Sequence, residues 1–362
     1  MVPTTPDPLR VSARAKAMLT RHHQSGGLGP DDYAAEPRIH PMAEGKFLSA
    51  LAALGSDLDT TTTDRFALDS LARLRESAAT LKDARASWGL GFVWGEAPAT
   101  DAFVVTTALV AQGLLDISEV AGPDVAGEAR KLHGQAINWL TSGSTLVRHG
   151  RATLPVYGSS NPQPVRNVVA TWAGIVTNSP VASPRDKRIA KRAAEWVLRS
   201  YMPDLGWAYS ETSTRVDLLH TCYIVNGLLS AVGKNPVAER ATAALLTFDD
   251  LQGWRDKWDA FPRQQVFGGE LATVNRDLRV VGQYVVAGLN VPARSWSLGE
   301  LLLAAARMAP VQSVGALWCE RLPAVVRQIA DRFPNEDRPR HAMHLAHGLA
   351  VAARWKGAVV DR

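Results

Sequence analysis

The sequence predicts an all-α protein in which inner and outer helices alternate around a closed ring, an (α/α)6-like toroid. Three observations lead there. Apolar segments alternate with amphipathic ones along almost the whole chain. A helix that is apolar all round is buried on every side, whereas an amphipathic one faces water. Strand-like alternation of apolar and polar residues is missing. Finally, one loop-plus-helix grammar recurs at intervals of tens of residues, the mark of a repeat architecture. Trp88-Gly89-Leu90-Gly91-Phe92-Val93-Trp94 leads through Asp101 to Thr106-Thr107 and closes on Gly113-Leu114-Leu115. Leu205-Gly206-Trp207-Ala208-Tyr209 leads through Asp217 to Thr221 and Gly227-Leu228-Leu229. A weaker copy runs from Val156-Tyr157-Gly158 through Asn167 to Thr171 and Gly174.

Taken in order, periodicity places helices over residues 8–22, 42–54, 64–84, 101–117, 125–140, 167–176, 185–201, 217–232, 236–248, 298–308, 316–333 and 340–354. The apolar ones, starting near 42, 101, 167, 217, 298 and 340, form the inner set, and the rest form the outer set. Residues 249–290 are the least readable, and their apolar stretch 280–289 fits an extra helix. No Pro/Ser linker divides the chain. Residues 1–362 therefore read as one domain, with 1–41 an N-terminal helix and an extended connection. Asp101, Asn167 and Asp217 fit helix starts, where a short polar side chain caps free N–H groups. The same three residues would face a central cavity.

The 362 residues are 46% hydrophobic and 21% charged, enough apolar material for a large core. The net charge of +5 is modest for this length. Much of it sits in Arg185, Lys187, Arg188, Lys191 and Arg192, opposite Ile189, Ala193, Trp196 and Val197 on one helix, which reads as a solvated face. No nucleic-acid-binding signature accompanies it. Cys222 and Cys319 make no disulfide framework. No secretory h-region and no apolar run of roughly 20 residues occurs, so a cytoplasmic protein without a membrane span is expected. No cofactor motif is found. His341, His344 and His347 share a helix face, but spacing indicates no completed ligand set, so no metal is expected.

The run from Gly206-Trp207 through Asp217-Leu218-Leu219-His220-Thr221-Cys222-Tyr223 to Gly227-Leu228-Leu229 resembles the α/α-toroid proteins. These include terpenoid cyclases, protein prenyltransferases, polysaccharide lyases and uronyl hydrolases. In squalene-cyclase-like repeats an aromatic Gly-Trp turn precedes a helix with Asp and Thr four apart. Asp217 and Thr221 match that, and so do Asn167 and Thr171 with Asn for Asp. The His-Thr-x-Tyr-x3-Gly-Leu-Leu run is also similar to toroids associated with polysaccharide metabolism. The likeness covers about half the chain and speaks for architecture. Class II cyclases of this fold carry Asp-x-Asp-Asp, where this chain has Asp217-Leu218-Leu219-His220. Prenyltransferases of the fold hold zinc with Asp, Cys and His, but His220 and Cys222 are two apart and fall on different helix faces.

The loops before the inner helices bring aromatic planes, carboxylates and arginines together repeatedly. Sugar rings stack on Trp, and Arg forks suit uronate, sulfate or phosphate groups. The expectation is a carbohydrate-active enzyme, hydrolase or lyase, acting on an anionic polysaccharide or oligosaccharide at the rim of the ring. Hydrolysis needs two carboxylates, with Glu211, Asp217, Glu96 and Asp101 as candidates. β-Elimination needs a base and a group that neutralises the uronate, roles open to His220, Tyr209, Tyr157 and Arg215. The expected catalytic residues are Asp217, His220, Glu211 and Tyr209. The expected substrate-binding residues are Trp88, Trp94, Asp101, Tyr157, Arg166, Asn167, Trp207, Arg215, Trp296 and Glu300. Two alternatives stand beside this reading: a terpenoid cyclase or prenyl-type enzyme with an acid outside the family pattern, and a noncatalytic toroid that binds a glycan or scaffolds a partner.

Overall fold

The structure, a computed structural model, describes residues 8–82, 84–160, 162–203, 205–211, 213–247, 249–250, 253–254, 257–262, 278–281, 283–288 and 292–355. Twelve helices are present among the described residues. The inner ones are α2 (Pro41–Leu54), α4 (Val104–Ser118), α6 (Arg166–Asn178), α8 (Leu218–Val232), α10 (Ser295–Met308) and α12 (Pro339–Arg354). The outer ones are α1 (Pro8–Gln24), α3 (Thr60–Glu76), α5 (Pro123–Ser142), α7 (Pro184–Arg199), α9 (Pro236–Thr247) and α11 (Gln312–Arg332). Each inner helix packs on the next, and α12 returns to α2 while α1 lies against α12. The ring expected from the alternation is therefore closed. Among the described residues no helix is long and apolar enough to cross a membrane.

Local sequence explains where the helices start. Pro41, Pro123, Pro184 and Pro339 open α2, α5, α7 and α12, where the missing N–H costs nothing. Asp59 caps α3 by accepting from the Thr62 N–H at 2.8 Å, and Ser183 caps α7 from Asp186 at 3.1 Å. The glycines that close each repeat are contact points between inner helices. A Cβ on Gly113 would stand 2.1 Å from the Gly45 carbonyl oxygen, and one on Gly227 2.4 Å from that of Ala170. Gly348 and Gly299 meet in the same way across α12 and α10.

The structure differs from expectation in the connections. Strands are present. The helix expected over 64–84 stops at Glu76 and gives way to the hairpin β3 (Ala78–Lys82)–β4 (Arg85–Trp88). The connection after α1 is the hairpin β1 (Leu28–Asp31)–β2 (Ala34–Ile39) rather than extended chain. Between α5 and α6 lies β5 (Leu146–His149)–β6 (Ala152–Pro155). After α9 come the two-residue strands β8 (Asp249–Asp250) and β9 (Gly253–Trp254). The extra helix expected at 280–289 is replaced by strands. β7 (Arg215–Asp217), β10 (Lys257–Pro262), β11 (Leu278–Val281) and β12 (Tyr284–Gly288) form one antiparallel sheet in the order β11-β12-β10-β7. Strands of four or five residues are too short to display alternation, and Val285-Val286 suits a strand better than a helix.

Candidate active site

One end of the ring opens into a cavity of about 330 Å³. The second residue of every inner helix lines it: Met42, Val105, Asn167, Leu219, Trp296 and Arg340. Six helix N-termini, each carrying partial positive charge, therefore face one space. The connections and α8 add Tyr33, Phe92, Trp94, Tyr157, Tyr209 and Tyr223, which with Trp296 make seven aromatic walls. Arg215, Asp217, Arg294 and Arg340 supply the charge, and His220 an imidazole.

Asp217 is both a helix cap and a wall of the cavity. It ends β7, where its backbone is paired with Lys257 of β10, so the sheet holds it in place. Its Oδ1 accepts the backbone N–H of His220 at 3.1 Å, capping α8. The same oxygen lies 3.2 Å from His220 Nδ1, although the ring nitrogen is not aimed squarely at it. Burial would raise the carboxyl, but His220 and Arg294 outweigh burial and keep it below its ordinary value. Tyr209 stands edge-on to the His220 ring at 4.9 Å. Burial, then the Asp217 charge, pushes its phenol up, so it keeps its proton at neutral pH. Burial does the same to Tyr157 and Tyr223.

A second wall is built on α12. Arg340 donates to Asp31 Oδ1 at 2.8 Å, and its guanidinium lies 4.4 Å from the Trp296 ring and 5.0 Å from Phe92. The Arg294 guanidinium sits 4.6 Å from the same ring. Trp296 also stacks on His341 at 4.6 Å, and its Nε1 is buried without a hydrogen-bond partner among the described residues. Asn167 Oδ1 is orphaned in the same way. Both residues line the cavity, so these atoms can bond a guest or water there.

Of the residues expected at the site, the structure gathers Asp217, His220, Tyr209, Trp94, Tyr157, Asn167, Arg215 and Trp296 around this cavity. Six others lie elsewhere. Trp88 and Trp207 are core: their indole N–H groups donate to the Leu74 and Val197 carbonyls at 2.7 and 2.8 Å, fastening each turn to the preceding outer helix. Thr107 completes the first turn by accepting the Trp88 N–H at 3.0 Å. Glu211 is exposed and pairs with His149 at 3.4 Å. Asp101 precedes α4 by more than a cap position and accepts from Ser159 at 2.9 Å. Arg166 is buried, donating to the Ala208 and Ser210 carbonyls at 2.8 and 2.5 Å. Glu300 lies deeper in the ring, paired with Lys46 and accepting from Asn226 at 3.0 Å. Tyr33, Phe92, Tyr223, Arg294 and Arg340 were given no individual role from the sequence, although Arg294 and Arg340 belong to the loops expected to form the rim. Counting to the second position of each inner helix would have found Arg340.

The three histidines of α12 have separate surroundings. His341 faces Trp296 and Asp32, His344 bonds the Tyr223 hydroxyl at 2.5 Å, and His347 lines a second cavity. Among the described residues no group of three His, Cys, Asp or Glu side chains could hold a metal ion.

No family model matches the chain, and its sequence matches no curated protein. Solved structures do share its shape. It is similar to a GH76 α-mannanase of Bacteroides thetaiotaomicron, with a TM-score of 0.61 and 10% identity over 96% of this chain and 95% of that one. It is similar to the type II terpene cyclase MstE of Scytonema, with a TM-score of 0.53 and 11% identity over 96% and 98%. It is also similar to an endo-β-1,4-glucanase of Acetobacter xylinum, with a TM-score of 0.53 and 12% identity over 95% and 98%. At these identities the likeness is one of fold: the chain is an (α/α)6 toroid, shared along nearly its full length with enzymes of differing chemistry.

Proposed function

We propose that the chain is a carbohydrate-active enzyme that cleaves a uronate-containing oligosaccharide by β-elimination in the aromatic cavity. The observation that carries this is the charge pattern: six helix N-termini with Arg215 and Arg294 surround a single Asp217–His220 pair. Among the described residues Asp217 is the one carboxylate lining the cavity. Hydrolysis with a carboxylate on each side of the bond has no second acid there. Elimination needs none. Arg294 and Arg215 would take the substrate carboxylate, which makes the neighbouring carbon acidic. His220, oriented by Asp217, would accept the proton from that carbon. The electron pair left behind forms the ring double bond as the glycosidic carbon–oxygen bond breaks. The departing oxygen takes its proton from the Tyr209 phenol. Trp94 and Trp296 offer the faces on which sugar rings stack.

Seven aromatic walls would also suit a carbocation. The state of the acid argues against cyclisation: Asp217 is held ionised and has no proton to give an alkene. The test is incubation with polyuronates and, separately, with an isoprenoid diphosphate. Rising ultraviolet absorbance of an unsaturated uronate product supports elimination. New reducing ends without that absorbance would mean hydrolysis, and a cyclised isoprenoid would overturn the reading altogether.

A further inference from the structure

The bore of the ring contains a second, larger cavity of about 510 Å³ at the opposite end. Its walls have a regular register. The ninth residue of each inner helix lines it: Ser49, Gln112, Gly174, Asn226, Leu303 and His347. So does the thirteenth: Ala53, Asp116, Asn178, Ser230, Arg307 and Val351. Eight of these twelve side chains are polar, where the inside of a ring of apolar helices should be apolar. The sixth residues form the septum toward the aromatic cavity. There Lys46 pairs with Glu300, and the Tyr223 hydroxyl bonds His344.

We infer that this cavity is a second binding site, for an uncharged polyhydroxylated molecule of about monosaccharide size. Its volume falls within the range of small-ligand pockets, roughly 300–1,000 Å³. It reaches solvent at the exposed Glu119 and Val120. Its charges are matched: Lys46, Arg307 and Arg354 against Asp116, Glu119 and Glu300. The deep ones already have partners. Asp116 accepts from Ser49 and Gln112 at 2.6 Å each, and Arg307 donates to Ser230 at 2.9 Å. A charged guest would break that balance, whereas hydroxyls can add to it. Bonding capacity remains: Thr171 Oγ1 and His347 Nδ1 are buried without partners among the described residues. The carboxylate lone pairs of Asp116 and Glu300 add acceptors that hydroxyls can donate to.

The test is saturation-transfer NMR with glucose, glucosamine and glucuronate as probes, which share a ring and differ in charge. In an Arg215→Ala/Arg294→Ala background, which removes the uronate contacts of the aromatic cavity, transfer to glucose that exceeds transfer to either charged sugar is expected. Ala53→Phe, which fills the cavity from α2, should abolish it. Thr171→Val, which removes an orphan hydroxyl without changing shape, should weaken it about tenfold. Thr171→Val also carries the test if Ala53→Phe does not fold. Trp94→Ala, in the aromatic cavity, should leave the glucose signal unchanged, so the outcome is separable from the elimination reading. No transfer to glucose, stronger transfer to a charged sugar in that background, or loss of signal in Trp94→Ala alone would each overturn the proposal. The first of these would mean that the cavity holds only water.

Discussion

Asp217 holds two jobs that one substitution can separate. In Asp217→Asn the amide oxygen can still accept the His220 N–H now bonded at 3.1 Å, and Asn caps helices about as well as Asp. The lost charge at the helix N-terminus costs about 0.3–1 kcal/mol. The fold should therefore lose at most about 1 kcal/mol. Asp217→Ala removes the cap as well and should lose about 1 kcal/mol more. Chemistry should respond differently. Without a carboxylate 3.2 Å from Nδ1, His220 loses its orienting partner, and the rate should fall by roughly 10²–10⁴ in both variants. Urea unfolding followed by tryptophan fluorescence gives the first quantity, and product absorbance gives the second. Equal destabilisation by Asn and Ala, or an Asn variant that keeps most of the wild-type rate, would refute the division.

Three further outcomes follow from the geometry. Glu44 is fully buried; burial alone would raise its carboxyl, but His22 and Arg73 hold it at about 2 against an ordinary 4.5. A carboxyl depressed on folding stabilises the protein above its ordinary value. That contribution, on the order of 3 kcal/mol, should fade as pH falls from about 4.5 toward 2 and be absent from the acid titration of Glu44→Gln. Gly113→Ala places a methyl group 2.1 Å from the Gly45 carbonyl and should destabilise by about 1–3 kcal/mol, whereas Gly134→Ala on α5 meets no atom within 4 Å and should stabilise by about 0.4–1 kcal/mol in thermal melts. Trp207→Phe removes the indole donor from the Val197 carbonyl, which keeps its bonds from the Ser200 N–H at 3.0 Å and hydroxyl at 2.8 Å, and should cost about 0.5–1.5 kcal/mol without changing KM, while Trp94→Ala, at a half-exposed ring, should raise KM with little change in stability.

Much of the ring was legible because burial on all sides writes an unmistakable apolar run, as in Val104–Ser118 and Leu218–Val232. The hairpins were not, since pairs such as Leu146–His149 with Ala152–Pro155 are too short to show a period. At the site, the residues that repeat most visibly misled. Trp88 and Trp207 recur because each repeat must fasten a turn to the outer helix before it, a packing problem with one solution. Asp217 and His220 were found because three-residue spacing on a helix brings side chains together. Tyr223 stands in the His-Thr-x-Tyr run, but its place in the cavity, like that of Arg340, depends on helix register and on neighbours far away in sequence. Glu300 was taken for the rim together with Arg294 and Trp296, but one helical turn beyond Trp296 carries it into the septum, where it pairs with Lys46 and lines the other cavity.

The most direct test of the central claim is a crystal structure with a uronic-acid oligosaccharide bound. The account predicts a sugar ring against Trp94 or Trp296, with its carboxylate at Arg294 or Arg215 and the adjacent carbon facing His220. A ligand held outside the ring, or a carboxylate turned away from both arginines, would contradict it.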